Sequence, residues 1–441
     1  MAGQVLSAFD AVLKDFYGPG IVTLLNNKNK ILKLFTKNVD KSLSVDGRDV
    51  IYPIHYKRNP AVGAIAESGT LPVALYQGTT SVTVPYRYNY GRIQLSEQTI
   101  KQSQTSKGAF KKAMELEMKN ITKDLDRDRS RQLFGYGVGI IALVNGAHGA
   151  ADTVIKLKSP GGVTLPNGIT TGGARLVLPS QYVSFVRNAT PTSATDADII
   201  SGAKQISSIA SDLTTVTLGA VTGAVLADGD MLVNSSGQSA TESSVNKEVM
   251  GLVGMVDDST YLTTIHGVSR SSYPQYKSTV ISVNGQLSLD TLQRGLDAAD
   301  EKGGELKGMK FISHHSVRRE YLNLMQTPRR YIGEMTMNPD AGFKGGAGLE
   351  SDSLTYAMKE WIVERMCPLG MIFGLDTSFN VRYVNCEGEF ADDDGTILMR
   401  VANTDAYEGR FRVFDNFHND RPDCCVRFDN IQSTYDPIAV E

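Results

Sequence analysis

Long apolar runs are missing from this 441-residue chain: nowhere do eighteen uncharged apolar residues follow one another, so no membrane-spanning helix is expected. An excess of one charge is missing too. Lys and Arg number 45 against 48 Asp and Glu, for a formal net charge of -3 and a pI near 6.1. That balance excludes a protein that grips nucleic acid over its whole surface by neutralising phosphates. Contact with DNA is expected to be local and weak. Cysteine is scarce and late: Cys367, Cys386, Cys424 and Cys425 show no CxxC spacing, and the last two are neighbours, which seldom suit a shared disulfide. Buried, reduced thiols are expected. Residues 1–20 contain Asp10 and no continuous apolar h-region, so no export signal is expected and synthesis is read as cytosolic.

Catalytic signatures are absent as well. No GxSxG, HExxH or Cys-His arrangement occurs, and the acidic residues are too dispersed to suggest a carboxylate pair. His314-His315 opens a helical stretch in which neighbours point apart, a poor start for a metal site. Asp392-Asp393-Asp394-Gly395 lacks the alternating acids and distal Glu of a calcium loop and reads as a solvated turn. Gly135-Tyr136-Gly137-Val138-Gly139 and Lys344-Gly345-Gly346-Ala347-Gly348 match neither a GxGxxG turn nor a P-loop and read as flexible joints. The chain is therefore expected to be no enzyme, with no catalytic, cofactor or metal site.

What is present is a folded, turn-rich chain: 41% hydrophobic, 21% charged, with 42 glycines and 15 prolines. Its length calls for two or three packed units. Leu6, Phe9, Val12, Leu13 and Phe16, then the apolar stretch 21–35, read as two short helices of an arm. Residues 46–97 hold two runs of β-branched and aromatic residues, 50–56 and 81–88, expected as a long hairpin with edge strands because each carries a proline. Between them, roughly twenty residues containing Pro60, Gly63, Gly69 and Pro72 suggest a projecting loop.

Residues 106–134 change to a helical period, with Phe110, Met114, Met118, Ile121 and Leu125 on one stripe, for a helix about 40 Å long. From 150 to 283 charge falls, while Thr, Ser, Val and Gly rise in short alternating runs such as 213–218 and 225–233. A β-barrel or sandwich module is expected there. A helix 287–300, a strand 309–312 and a helix 317–325 form an α+β unit, and strands return from 375 to 431.

This order resembles the major capsid proteins of tailed bacteriophages, with the Hong Kong 97-like α+β fold. The residues that carry the likeness are YGRIQLSEQT from Tyr90 to Thr99, VMGLVGMVDD from Val249 to Asp258 with Gly267 to Arg270 and Phe311 to Ser313, and Gly388 to Phe390 with Asp394-Gly395 and Thr404 to Glu408. The resemblance covers nearly the whole chain. It implies an N-arm over 1–45, an E-loop hairpin over 46–97, a spine helix and glycine joint over 98–149, an inserted β-rich module over 150–283, an A-domain over 284–374, and P-domain return strands with a C-terminal strand over 375–441. Two features depart from the family: a strongly charged N-terminal scaffolding helix is missing, and the module is larger than a minimal member needs.

The implied function is a structural subunit that self-assembles through hexamers and pentamers into an icosahedral capsid enclosing double-stranded DNA, built in the host bacterial cytoplasm and found in the virion. The implied partners are a separate scaffolding protein, a portal, decoration proteins and, weakly, the packaged DNA, with no membrane. Lys57, Arg58, Glu67, Tyr86, Arg87, Tyr88 and Arg92 are the candidates for contact between subunits. Arg318, Arg319, Arg329 and Arg330 are candidates for facing DNA. Two alternatives stay open: an encapsulin-like shell around a cargo enzyme, and a β-rich tail or adhesin component, which accounts poorly for the helix at 106–134.

Overall fold

A computed structural model describes residues 31–38, 49–98, 107–167, 169, 171–235, 238–304, 306–329, 355–392, 397–401 and 404–433. Of the arm expected over 1–45 only residues 31–38 are described, and the glycine run at 344–348, Arg330 and residues 393–395 of the acidic turn lie outside the described residues.

Runs of β-branched and aromatic residues become strands along most of the chain, because such side chains fit a pleated, half-buried surface. After a 3-10 turn at Leu32–Leu34 come β1 (Thr36–Asn38), β2 (Asp49–Lys57), β3 (Gly78–Pro85) and β4 (Arg87–Ser96), then the helix α1 (Lys107–Gln132). Next follow β5 (Ile140–Val144), β6 (Val154–Lys158), β7 (Tyr182–Val186), β8 (Ile199–Ile209), β9 (Thr215–Leu218) and β10 (Met231–Asn234). A one-turn helix Leu252–Met255 leads to β11 (Thr264–Ile265), β12 (Val268–Ser269), β13 (Thr279–Gly285), α2 (Leu289–Glu301), β14 (Met309–Ser313) and α3 (His315–Arg329). The chain ends with β15 (Thr355–Tyr356), β16 (Lys359–Val363), β17 (Ile372–Asp376), β18 (Asn380–Phe390), β19 (Leu398–Arg400), β20 (Ala406–Asn419) and β21 (Val426–Ile431).

These strands form three main bodies. A five-stranded sheet runs β1-β18-β20-β19, with β4 also paired to β20 along ten residues. A six-stranded sheet runs β13-β21-β17-β14-β16-β15. Between β5 and β10 the strands close into a six-stranded barrel in the order β10-β5-β6-β9-β8-β7, packed inside by Ile141, Ile155, Val183, Phe185, Val216 and Leu232. The alternating burial along β6 is what a strand with one face inward requires.

Helix α1 lies on the five-stranded sheet, where Met118 and Leu125 meet Ile93, Phe411 and Val413. At Gly91 a Cβ would sit 2.8 Å from Ile121, so glycine is what lets the helix approach β4.

Several expectations need correction. The barrel starts at Ile140 and not at 150, and its last strand is β10; residues beyond it enter the turn at 252–255 and the six-stranded sheet. The glycine run 135–139 is no flexible joint: Tyr136 and Val138 are buried, and Gly139 has φ +89° with a Cβ position 2.7 Å from the Ser244 carbonyl oxygen, a fit only glycine allows. Strand β21, expected with the returning strands, instead pairs in parallel with β13 and antiparallel with β17. The hairpin strand expected over 81–88 also divides, β3 ending at Pro85 and Tyr88 joining the pairing of β4 with β20.

Candidate assembly surface

The hairpin β2-β3 is a two-stranded sheet of its own, and such a ribbon is marginal in water unless another surface covers it. Its base is covered. Val50, Val82 and Val84 enter the main core with Ile31, Phe35 and Phe417. The Thr83 amide donates to the His266 carbonyl at 2.9 Å, and the Asn416 side-chain amide donates to the Pro85 carbonyl at 2.7 Å. Tyr52 lies edge-on to His418 with ring centroids 5.5 Å apart, and Tyr56 edge-on to Tyr273 at 4.7 Å.

The loop that carries His266 is itself fixed by one buried carboxylate. Asp257 accepts the amides of Tyr261 at 3.0 Å and Leu262 at 2.9 Å, with guanidinium groups of Arg270 at 3.3 Å and Arg427 at 3.1 Å. All three ionic side chains are fully buried, so removal of the acid would leave Arg270 with no carboxylate partner and Arg427 with Asp429 alone. Beside the base, the His266 and His418 rings meet edge-on at 5.0 Å. Burial holds His266 down at about 4, the accepting Phe417 carbonyl opposing it. Burial also pushes His418 well below the ordinary value, with His266 adding to the effect. Both imidazoles are neutral donors and acceptors within the hairpin's seat.

Beyond the base, residues 58–77 project with almost nothing beneath them. The loop is tied across itself by the Asn59 side-chain amide, which donates to the Leu75 carbonyl at 2.8 Å, and turns through Gly69, whose amide donates to the Ala66 carbonyl at 2.9 Å. Val62 is 87% exposed and Tyr76 77%, with Ile65, Leu71, Val73 and Leu75 also exposed. Apolar side chains gathered in this way on one projection mark an interaction site. Lys57 stands at its root, its ammonium 5.9 Å from the Tyr76 ring centre; Arg58 and Glu67 are exposed along it.

A second surface lies at the foot of the hairpin, on the face of β4 and β20 that points away from α1. Tyr88 and Tyr90 meet Phe414 edge-on at 4.9 and 5.4 Å. Arg92 pairs with Glu408 at 2.5 Å, and Arg412 with Glu389 at 2.9 Å. Hydrogen bonding from Arg410, aided by Arg92, holds the Glu408 carboxyl below the usual carboxylate range. Aromatic and guanidinium groups are the types enriched at protein interfaces.

The sequence candidates therefore fall into groups. Tyr88 and Arg92 share the sheet face, Lys57, Arg58 and Glu67 share the projecting loop, and Tyr86 and Arg87 sit half-buried at the junction. Burial raises the Tyr86 hydroxyl above its ordinary value and lowers the Arg87 guanidinium, with Asp49 opposing the second shift. Arg318 is half-buried and Arg319 exposed on α3, which follows β14 of the other sheet; Arg329 ends that helix. Sequence reasoning missed Tyr90, Phe414, Arg410 and Arg412. The period-two spacing of Tyr88, Tyr90 and Arg92 is a usable signal, whereas their neighbours on β20 come from more than 300 positions away and leave none.

Among the described residues no group of three His, Cys, Asp or Glu side chains could hold a metal ion, and no helix is long and apolar enough to cross a membrane. The four cysteines are unpaired and buried.

No family model matches the chain, and no curated protein does either. Among solved structures it is similar to a chain of the cyanophage A-1(L) capsid asymmetric unit, at 10% identity and a TM-score of 0.52, covering 91% of this chain and 93% of that one. The fold is a phage capsid fold. The chain is also similar to the holo-SrpI encapsulin complex of Synechococcus elongatus PCC 7942, at 9% identity, a TM-score of 0.42 and coverage of 92% and 89%. A third similar chain belongs to the capsid of a native GTA particle, at 6% identity, a TM-score of 0.44 and coverage of 91% and 90%. The projecting loop lies within residues 49–98, and the second surface joins β4 of that stretch to β20.

Proposed function

We propose that this chain is the structural subunit of a self-assembling viral shell, a capsid that encloses double-stranded DNA. The observation that carries the reading is the projection at 58–77: a set of exposed apolar side chains on a ribbon whose own base, but not its tip, is covered by this chain. A neighbouring copy supplies the missing cover. Because tip and receiving surface are different patches, the contact is heterologous and propagates from copy to copy until curvature closes it.

In this reading β2, β3 and the projection between them act as the E-loop and α1 as the spine helix. The five-stranded sheet is the P-domain, the six-stranded sheet the A-domain, and the barrel an inserted module. Lys57, Arg58 and Glu67 form ion pairs at the rim of the contact, and the face bearing Tyr88 and Arg92 meets another subunit. A separate scaffold and a portal complete the assembly, and Arg318 and Arg319 face the packaged DNA. Near-neutral charge suits a container whose contents must move.

Electron microscopy of the purified chain tests the reading: uniform closed shells are expected. Removal of residues 58–78 is expected to leave monomers or small oligomers with the base still folded. Normal shells from that deletion would overturn the proposal. Nucleic acid or protein inside the particles tells a genome container from a cargo compartment.

A further inference from the structure

The turn between β11 and β12 runs against the usual residue preference. His266 and Gly267 both have positive φ, +48° and +82°, the pattern of a type I′ turn, whose first central residue is commonly asparagine, aspartate or glycine. A left-handed backbone is costly for a side chain of this bulk. The imidazole is also buried. A strained residue of this kind persists where its side chain has a use.

This residue joins the hairpin to the body. Its carbonyl accepts the Thr83 amide of β3 at 2.9 Å. Its ring Nε2 lies 3.2 Å from the Phe417 carbonyl of β20, so that nitrogen carries the hydrogen and donates, and a further proton goes to Nδ1. The ionisable groups around the ring disfavour that proton. His418 of β20 meets it edge-on at 5.0 Å, and the Arg87 guanidinium at the start of β4 and that of Arg270 after β12 add positive charge to the effect of burial. Arg270 is itself held by Asp257. Among the described residues no carboxylate acts on His266 in the opposite sense. Asp420 lies 3.7 Å from His418, whose Nε2 also meets the Tyr276 hydroxyl at 2.9 Å and whose ring meets Tyr52 of β2.

We propose that the β11-β12 turn is an acid-released catch on the hairpin: a second proton on His266 frees β2 and β3 from the body ahead of the unfolding of the rest. An imidazolium between His418, Arg87 and Arg270 has no counter-charge and no water, and a turn that swings out to hydrate it gives up the Thr83 bond. Among the described residues no strand of another sheet pairs with β2 or β3, so the ribbon can leave its seat as a unit. An imidazole held at about 4 in the seat and restored to 6.5 on release takes its proton in the open form first. Between about pH 7 and about pH 5 the open form therefore gains roughly twentyfold over the closed one. For a shell, the consequence is that acid loosens the hairpin at the contact between subunits; that consequence rests on the shell reading, and the catch itself does not.

Hydrogen exchange of the full, unassembled chain tests it, read as protection factors at about pH 7 and about pH 5, which remove the intrinsic effect of pH on exchange. Strands β6 and β9 serve as the reference, since they belong to the barrel's own core. Amides of β2 and β3 are expected to be roughly tenfold or more less protected than the reference at either pH, and to lose about a further twentyfold of their own protection in acid. In His266→Asn, which suits the turn and takes up no proton, the acid loss is expected to vanish. Equal protection of hairpin and barrel, no loss in acid, or the same loss in His266→Asn would overturn the catch. The first two outcomes are read from the unaltered chain, so they decide the matter even where the variant does not fold. No particles are needed, and a chain that makes none overturns the shell reading while leaving this comparison intact.

Discussion

The base and the tip of the β2-β3 hairpin belong to one continuous segment and have similar apolar content, yet their surroundings are opposite. Val82 is 0% exposed at the base, while Val62 is 87% exposed on the projection. Each fully buried aliphatic side chain contributes roughly 1.5–3 kcal/mol to folding. An exposed one contributes nothing until another surface covers it. The base is therefore part of the fold, and the tip holds its hydrophobic free energy in reserve for assembly. The contrast separates residues whose loss unfolds the chain from residues whose loss leaves a folded chain that does not assemble.

The largest expected effect lies under the base. Asp257→Ala leaves Arg270 and Arg427 buried without their shared acid and should cost about 3–5 kcal/mol of stability, read from denaturant unfolding. A wild-type midpoint would show that the carboxylate does not hold the loop that seats the hairpin.

Acid comes next. His266 sits at about 4 in the folded chain against about 6.5 unfolded, so the unfolded state takes up the proton first. Stability is unaffected above pH 6.5 and is lost as pH falls from 6.5 towards 4, by on the order of 3 kcal/mol. Unfolding curves across that range measure the loss, and His266→Gln should flatten the slope. Hydrogen exchange should speed up at the base, while the already open tip changes little.

Val82→Ala removes buried methyl groups and should destabilise by about 1–3 kcal/mol, again by denaturant midpoint. Leu71→Ser or Val73→Ser on the tip should change stability by less than about 0.5 kcal/mol and still reduce particle yield in electron micrographs. Unchanged yield would remove the distinction between base and tip. Tyr90→Ala should behave like the tip variants, with a smaller effect on assembly because one face residue is lost among several.

Much of this is legible in the sequence because it is local. The helical period of 106–134 becomes α1 within two residues at each end, and the strand at 309–312 followed by a helix becomes β14 and α3. The turn-rich connection between two β-branched runs reads directly as a projection, since prolines and glycines bar regular pairing there. What stays hidden is non-local. The partners of Tyr88 and Tyr90 on β20, the place of β21 between β13 and β17, and the closure of the barrel from Ile140 all depend on strands that pair across long stretches of chain. Alternation tells which side chains face one way and leaves open which strand lies alongside. The fixed geometry of the glycines at 135–139 is hidden for the same reason: the close approach at Gly139 comes from Ser244, about a hundred residues later.

By itself, then, the amino-acid order determined a hairpin with a long turn-rich connection and one long helix, because periodicity and turn chemistry act over a few residues. Only the tertiary structure decided which half of the hairpin is covered, because burial depends on the distant strands, loops and buried Asp257 that reach one part of it and not the other.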